Sequence, residues 1–276
     1  MTNGEPHSGY APINGLQLYY EIHGAGRPTL LLHGAYGATG MWGDFLPALA
    51  AGRQIIAVDP QGHGRTADID RPIRYEAMAD DCAALLDYLG IEQADVVGYS
   101  MGAGAGLRLA IQHPARVRRQ VLASASFRSD GIYPEILDQI QTITPELFAG
   151  TPYQEGYTAV APRPEEFPRL LEKLKDLDAQ PFDWTAEMPT VQAPTLLIFG
   201  DADIVTPEHA VEMLRALGGG ITGAMFDGSP TAQLAILPNT AHQGVSMRIE
   251  LLLAVIPPFL DALDREANSA TSTQPT

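Results

Sequence analysis

The 276-residue chain contains a single cysteine, Cys82, which excludes an intrachain disulfide framework. No apolar run approaches the roughly 18 residues that a membrane-crossing helix needs. The opening Met1–Pro12 is polar and lacks the basic start and apolar follow-up of a secretory leader, so the expected compartment is the cytoplasm. Positive charge is scarce, with 17 Lys and Arg against 33 Asp and Glu and a net charge of -16. Such a chain offers no basic face to nucleic acid or to an anionic membrane. The expected partner is a small-molecule substrate, and nothing in the pattern fixes an oligomeric state. No H-e-x-x-H or paired C-x-x-C spacing occurs, so neither a metal nor another cofactor is expected. Gly218-Gly219-Gly220 is followed by no Lys-Ser or Lys-Thr and fed by no strand, which leaves a plain turn and not a phosphate loop. There is no internal repeat.

Glycine is plentiful, at 27 residues, and 45% of the chain is hydrophobic, which at this length supports a large core. Between Ile13 and His23, Asn14-Gly15 separates two short apolar pieces, and Leu16, Leu18 and Tyr20 alternate with polar neighbours. That pattern predicts an antiparallel hairpin. Four later runs are apolar on both faces or nearly so: Thr29–Leu32, Ile55–Val58, Val121–Ala123 and Thr195–Phe199. Strands of that kind belong inside a sheet covered on both sides. A further strand is read at Ala235–Leu237, and helical spacing lies between the runs, as around Cys82, where Met78, Leu85, Leu86 and Leu89 fall in step. Cys82 itself reads as a buried core thiol. Alternating strands and helices imply right-handed crossovers and a doubly wound, mostly parallel α/β sheet. Reactive groups in such sheets collect at the carboxyl ends of the strands, where this chain puts Ala35, Ser100, Asp203 and His242.

The most informative stretch is Ala94–Gly106, where the short apolar run through Val96 and Val97 stops at Gly98-Tyr99-Ser100-Met101-Gly102 and a helical pattern begins. A serine held at so sharp a strand-to-helix turn has its hydroxyl pushed outward, and only glycines two residues to either side leave room. A serine hydroxyl is a weak nucleophile near neutral pH and needs a base in reach, which in turn needs an acid to fix its tautomer. Gly200-Asp201-Ala202-Asp203 follows one later strand and Ala241-His242 the next, which supplies serine, acid and histidine in the order this fold class uses.

On these motifs, together with His33-Gly34, Asp59 through Gly64 and Asp201 through Pro207, the chain from Ile13 to Ala262 resembles the α/β-hydrolase superfamily, in its esterase, haloperoxidase-like and carbon–carbon hydrolase branch with an inserted cap. The resemblance implies an eight-stranded sheet, with Ser100 as nucleophile, His242 as general base and then acid, and Asp203 as the orienting carboxylate, Asp201 being the alternative. It also implies an oxyanion hole from the backbone N–H groups of Ala35 and Met101, and loop-shaping roles for His33 and His63. His7, His23, His113 and His209 show no partner pattern and read as surface residues. Ser100 rules out the relatives that attack with aspartate at this position, and the segment after His33 lacks the Gly-Gly-Pro-Gly run of proline iminopeptidases. The implied reaction is hydrolysis of a small or medium carboxylic ester or lactone through an acyl-enzyme. A carbon–carbon hydrolase, a perhydrolase and a non-catalytic binding protein on the same fold are the alternatives.

Residues 127–189 break the rhythm. They are rich in proline and aromatics, too long for a plain loop and too apolar for a linker. They are expected to form a helical lid over the strand ends, with 1–126 and 190–265 as the core and 266–276 as a disordered tail. Tyr36, Phe127, Tyr133 and Trp184 are the expected pocket residues.

Overall fold

The computed structural model of the chain describes residues 6–220 and 230–271, with side chains to residue 262. The chain opens on a hairpin of β1 (His7–Ile13) and β2 (Leu16–His23). Asn14 and Gly15 between them have φ of 46° and 82°, the left-handed pair that a two-residue type I′ turn takes. Six further strands follow: β3 (Arg27–Leu32), β4 (Arg53–Asp59), β5 (Ala94–Tyr99), β6 (Val117–Ala123), β7 (Thr195–Ala202) and β8 (Ala232–Ala241). The sheet order is β1-β2-β4-β3-β5-β6-β7-β8. β2 pairs antiparallel with β1 and β4, and every later pairing is parallel.

Side chains alternate across this sheet, and both faces are dry. Leu30, Leu32, Ile56, Val58 and Val96 pack on one side with α2 (Tyr75–Tyr88) and α3 (Met101–Gln112). Leu31, Ile55, Ala57, Val97 and Val121 pack on the other with α1 (Phe45–Ala50). This is why the strands read as continuous apolar runs: period-2 alternation is hidden when neither face meets water. Cys82 lies in the first cluster, where burial, and then the charge of Asp81, push its thiol up to about 12. It is a core group with no thiolate character near neutral pH.

Between β6 and β7 the chain leaves the sheet to form α4 (Pro134–Gln141), α5 (Pro145–Phe148), α6 (Pro152–Val160) and α7 (Phe167–Ala179), then returns. The two stems of this insert meet at a bridge of Arg128 with Asp183 and at a bond from the Trp184 N–H to the Phe127 carbonyl, 2.9 Å. The apolar stripe Phe167, Leu170, Leu171, Leu174 and Leu177 puts α7 into the core cluster of α2 and α3. α7 is also tied down by charge. The Lys173 ammonium donates to the Asp68 carboxylate at 2.8 Å and to the carbonyls of Ile69 and Arg71 at 2.7 and 2.8 Å. The Arg169 guanidinium reaches Asp68 at 2.8 Å. α4, by contrast, buries no side chain fully.

α8 (Pro207–Ala216) and α9 (His242–Val245) follow β7 and β8, and the chain ends on α10 (Ile249–Thr271). The tail expected to be disordered from 266 is helical to Thr271. Arg265, Glu266, Ala267 and Ala270 are good helix formers, and no glycine or proline stands between Phe259 and Thr271 to stop the helix. The remaining residues of that expectation, 272–276, lie outside the described ones. Among the described residues no helix is long and apolar enough to cross a membrane.

Replacing Lys173 with methionine leaves two main-chain carbonyls without this donor and weakens the hold on Asp68. We expect a loss of about 2–3 kcal/mol in urea denaturation, with faster proteolytic cutting between 134 and 160. Unchanged stability would show that the apolar stripe of α7 alone holds the insert.

Candidate active site

Ser100 lies between the last residue of β5 and the first of α3, with φ 53° and ψ -121°. An L-residue holds such a backbone only where its surroundings over-determine it. Here they do. A Cβ on Gly98 would stand 2.5 Å from the Gly102 carbonyl oxygen, and one on Gly102 would stand 2.2 Å from that of Leu32, so strand and helix approach at a distance only glycine permits. The Ser100 N–H is held by the Ala123 carbonyl at 2.8 Å.

His242 follows β8 directly. Its Nε2 is 3.0 Å from Ser100 Oγ, and its Nδ1 is 2.7 Å from Asp203 Oδ1. The three groups, remote in sequence, therefore form one hydrogen-bonded line. Asp203 is buried, and burial by itself would raise its carboxyl. The bond and charge of His242, the Ser124 hydroxyl at 2.6 Å and the Gly200 N–H at 3.1 Å outweigh that and hold it below the usual carboxylate range. With the carboxylate ionised, the imidazole proton sits on Nδ1, and the Nε2 lone pair faces the serine hydroxyl.

Asp201 is elsewhere. Its carboxylate accepts the N–H groups of Asn239 and Thr240, each at 2.8 Å, and so it shapes the turn that delivers His242. Two groups near the line have no prior place in the sequence reading. Ser124, at the carboxyl end of β6 with φ 57°, donates to Asp203. Tyr99 donates its hydroxyl to the His242 carbonyl at 2.9 Å, its ring 5.4 Å from the imidazole. Only position gives a sequence signal for them: Tyr99 is inside the serine motif, and Ser124 is the first polar residue after a buried strand.

Opposite, the loop after β3 brings Ala35 and Tyr36 to the serine. A Cβ on Gly34 would be 3.3 Å from that of Ser100. Asp59, fully buried, accepts the N–H groups of Thr39 and Arg65 at 2.7 and 2.8 Å and so fixes that loop to the next. His63 is neutral, since burial first and the charge of His33 second push it down to about 3. Among the described residues neither the Ala35 nor the Met101 N–H meets a protein acceptor.

The expected pocket residues divide. Tyr36 lies under the insert, its ring 4.9 Å from Phe148 and 6.4 Å from Tyr153. Tyr133 is half-buried at the start of α4. Phe127 and Trp184 are 2% and 3% exposed and belong to the core cluster between α3 and α8. As the stems of the insert, they are consumed in sealing its base. His209, expected at the surface, is 2% exposed and stacks on Phe127 at 4.4 Å. Its Nε2 meets the Ser126 hydroxyl at 2.9 Å, because the third residue of α8 faces the stem.

A sequence profile described as the alpha/beta hydrolase fold matches residues 28–178. The chain belongs to the α/β-hydrolase family. It is 30% identical to a candidate carbamate hydrolase, RutD, of Azorhizobium caulinodans, over 84% of this chain and 91% of that one. It is 27% identical to a 2-hydroxy-6-oxononadienedioate/2-hydroxy-6-oxononatrienedioate hydrolase of Pseudomonas putida, over 82% and 85%. Among solved structures it resembles an enol-lactonase of Burkholderia xenovorans LB400, at 25% identity and TM-score 0.67, over 91% and 99%. The family resemblance drawn from the motifs and the eight-stranded, mostly parallel sheet both hold.

His209 makes a prediction about acid. Burial first, then the charge of Arg128, push its imidazole down to about 4 in the folded chain. Unfolded, it takes a proton near 6.5. Its contribution is therefore complete above about pH 6.5 and lost as pH falls toward about 4, on the order of 2 kcal/mol. His209→Gln should be less stable than the wild type at pH 7, with the gap closing by pH 4 in denaturation at stepped pH. A gap that stays constant would mean that His209 charges freely in place.

Proposed function

We propose that this α/β hydrolase is a serine hydrolase acting on small or medium carboxylic esters, lactones included, through an acyl-enzyme. The observation that carries the reading is the unbroken line from Ser100 Oγ to His242 Nε2 at 3.0 Å and from His242 Nδ1 to Asp203 at 2.7 Å. Ser100 Oγ attacks the substrate carbonyl carbon while its proton passes to His242 Nε2, and Asp203 stabilises the resulting imidazolium. The oxyanion is received by the N–H groups of Ala35 and Met101, the second of which opens α3 and adds the partial positive charge of a helix start. His242 then gives its proton to the departing alcohol oxygen. A water deprotonated by His242 hydrolyses the acyl-serine and restores the hydroxyl.

Residues 127–189 act in this reading as a lid, with the rest of the chain to residue 265 as the catalytic core. Tyr36 and Tyr133 line the substrate space, and Tyr153 reaches in from α6. Support comes from Tyr36 against Phe148 and Tyr153, and from the Tyr99 phenol, which burial first and Tyr153 second push upward. Ser124 and Tyr99 act as positioning residues, through Asp203 and through the His242 main chain. A second reading, carbon–carbon bond hydrolysis by the same residues, is favoured by the name of the Pseudomonas putida relative.

The test is p-nitrophenyl ester turnover together with fluorophosphonate labelling. Ser100→Ala should abolish labelling and lower kcat/KM by about 10³-fold or more, and Asp203→Asn should cost on the order of 10³-fold. Asp201→Asn should cost far less. Activity undiminished in Ser100→Ala would end the proposal. Cleavage of a vinylogous diketone with no ester turnover would transfer the case to the second reading.

A further inference from the structure

Among the described residues, five that are not glycine hold a positive φ: Asn14, Tyr36, Ser100, Ser124 and Asn239. Asparagine tolerates that backbone. Ser100 and Ser124 belong to the hydrogen-bonded line of the site, where a strained main chain aims a hydroxyl. Tyr36, at 64°, is the fifth and carries the one bulky side chain of the set. It stands third in the turn Gly34–Gly37, which the Gly37 N–H closes on the Gly34 carbonyl at 3.3 Å. A positive φ in that place calls for glycine or asparagine. The tyrosine is there against the preference of its own main chain, and its surroundings have to hold it.

The ring supplies the hold. Its centroid is 4.9 Å from that of Phe148 at the end of α5 and 6.4 Å from that of Tyr153 on α6, and those two rings are 6.0 Å apart. Phe148 rests in turn on Phe167 at 5.7 Å, edge to face. Phe167 opens α7 and is buried in the core cluster, and α7 is the helix pinned by Lys173. A continuous run of ring contacts thus joins the anchored part of the insert to Tyr36, each at a separation that aromatic pairs favour. On its other side Tyr36 is bonded to Ala35, whose N–H meets no protein acceptor among the described residues. Gly34, one residue earlier, stands against the serine, where an added Cβ would be 3.3 Å from that of Ser100. Lining alone does not require a strained residue, since a neighbour on ordinary backbone could carry the ring. Holding the turn does, because the ring then acts on the torsions that aim the Ala35 N–H.

We propose that Tyr36 is a positioning residue: through its ring, the insert holds the Gly34–Gly37 turn in the conformation that aims the Ala35 N–H at the developing oxyanion. The insert then contributes to the chemical step and not only to enclosing the substrate. A donor displaced by a fraction of an ångström binds the ground-state carbonyl nearly as before and the oxyanion worse, so the tie shows in kcat and not in KM. The inference rests on Ser100 as nucleophile and Ala35 as oxyanion donor, and the experiment separates its failure from theirs.

Two variants cut the tie from opposite sides. Tyr36→Asn suits the positive φ but has no ring, and Phe148→Ala, at a half-buried position, leaves the turn itself untouched and carries the same comparison if the first does not fold. Each should lower kcat for p-nitrophenyl butyrate by about tenfold, with KM within about twofold of the wild type. Tyr36→Phe keeps the ring and should recover about fivefold or more of that loss. The trifluoromethyl ketone of octane bonds its carbonyl carbon reversibly to Ser100 Oγ, the serine proton passing to His242 and the carbonyl oxygen becoming an oxyanion; the plain methyl ketone binds without that step. Tyr36→Asn and Phe148→Ala should bind the first about tenfold more weakly and the second within about twofold. Hydrogen exchange of the amides of residues 34–37, read by mass spectrometry, should be about tenfold faster in both variants, and equally so when Ser100→Ala is added. Faster exchange in a chain that turns over no ester and takes no fluorophosphonate would remove the reading of Ser100 and keep the ring's hold on the turn. A rise in KM alone, equal losses for the two ketones, unchanged exchange, or a Tyr36→Phe no better than Tyr36→Asn would each overturn the proposal.

Discussion

The site depends on the close crossing of β5 and α3 at Ser100. Two glycines let the helix start within van der Waals contact of the strand it follows and of the carbonyl of Leu32 in the neighbouring strand. The serine between them is held in a backbone conformation that it would not choose alone. The strain is tolerated because the sheet behind it is dry on both faces and anchored at both edges, so the turn has no freedom to relax. Everything else at the site is delivered to that fixed hydroxyl. β3 brings the Ala35 loop, β6 brings Ser124, β7 brings Asp203 and β8 brings His242, each at a carboxyl end and each beside its neighbour in the sheet order.

Much of this was legible because the signals are local. Asn14-Gly15 dictates its own turn, and the apolar runs dictate buried strands. The serine motif carries its own steric reason, and a strand end followed by an acid or a histidine is a short pattern. Choosing between Asp201 and Asp203 was not a matter of local pattern. The pairing of β7 with β8 is irregular between Gly200 and Ala202, and that irregularity turns one carboxylate toward the main chain of residues 239–240 and the other toward the imidazole.

What the sequence does not show shares a cause. Phe127, Trp184 and His209 are separated by up to 82 positions and acquire their meaning only from one another, as the stems of the insert close against α8. An aromatic residue in an insertion suggests a lining, but the first duty of an insertion is to seal the hole where it leaves the sheet. The residues nearest its two ends are the ones spent on that. The Asp68–Lys173 contact is invisible for the same reason, since a buried pair more than 100 positions apart has no sequence signature.

The buried acids show how strictly the fold treats charge. Asp59 is held by two main-chain N–H groups, Asp81 by Arg71 at 2.5 Å, Asp95 by Arg118 at 2.6 Å, and Asp203 by a hydroxyl, an imidazole and main-chain N–H groups. In each case a donor or cation within the chain offsets the lost hydration. Under the insert the same rule holds, with Lys173 and Arg169 on Asp68 and Arg74 on Asp176.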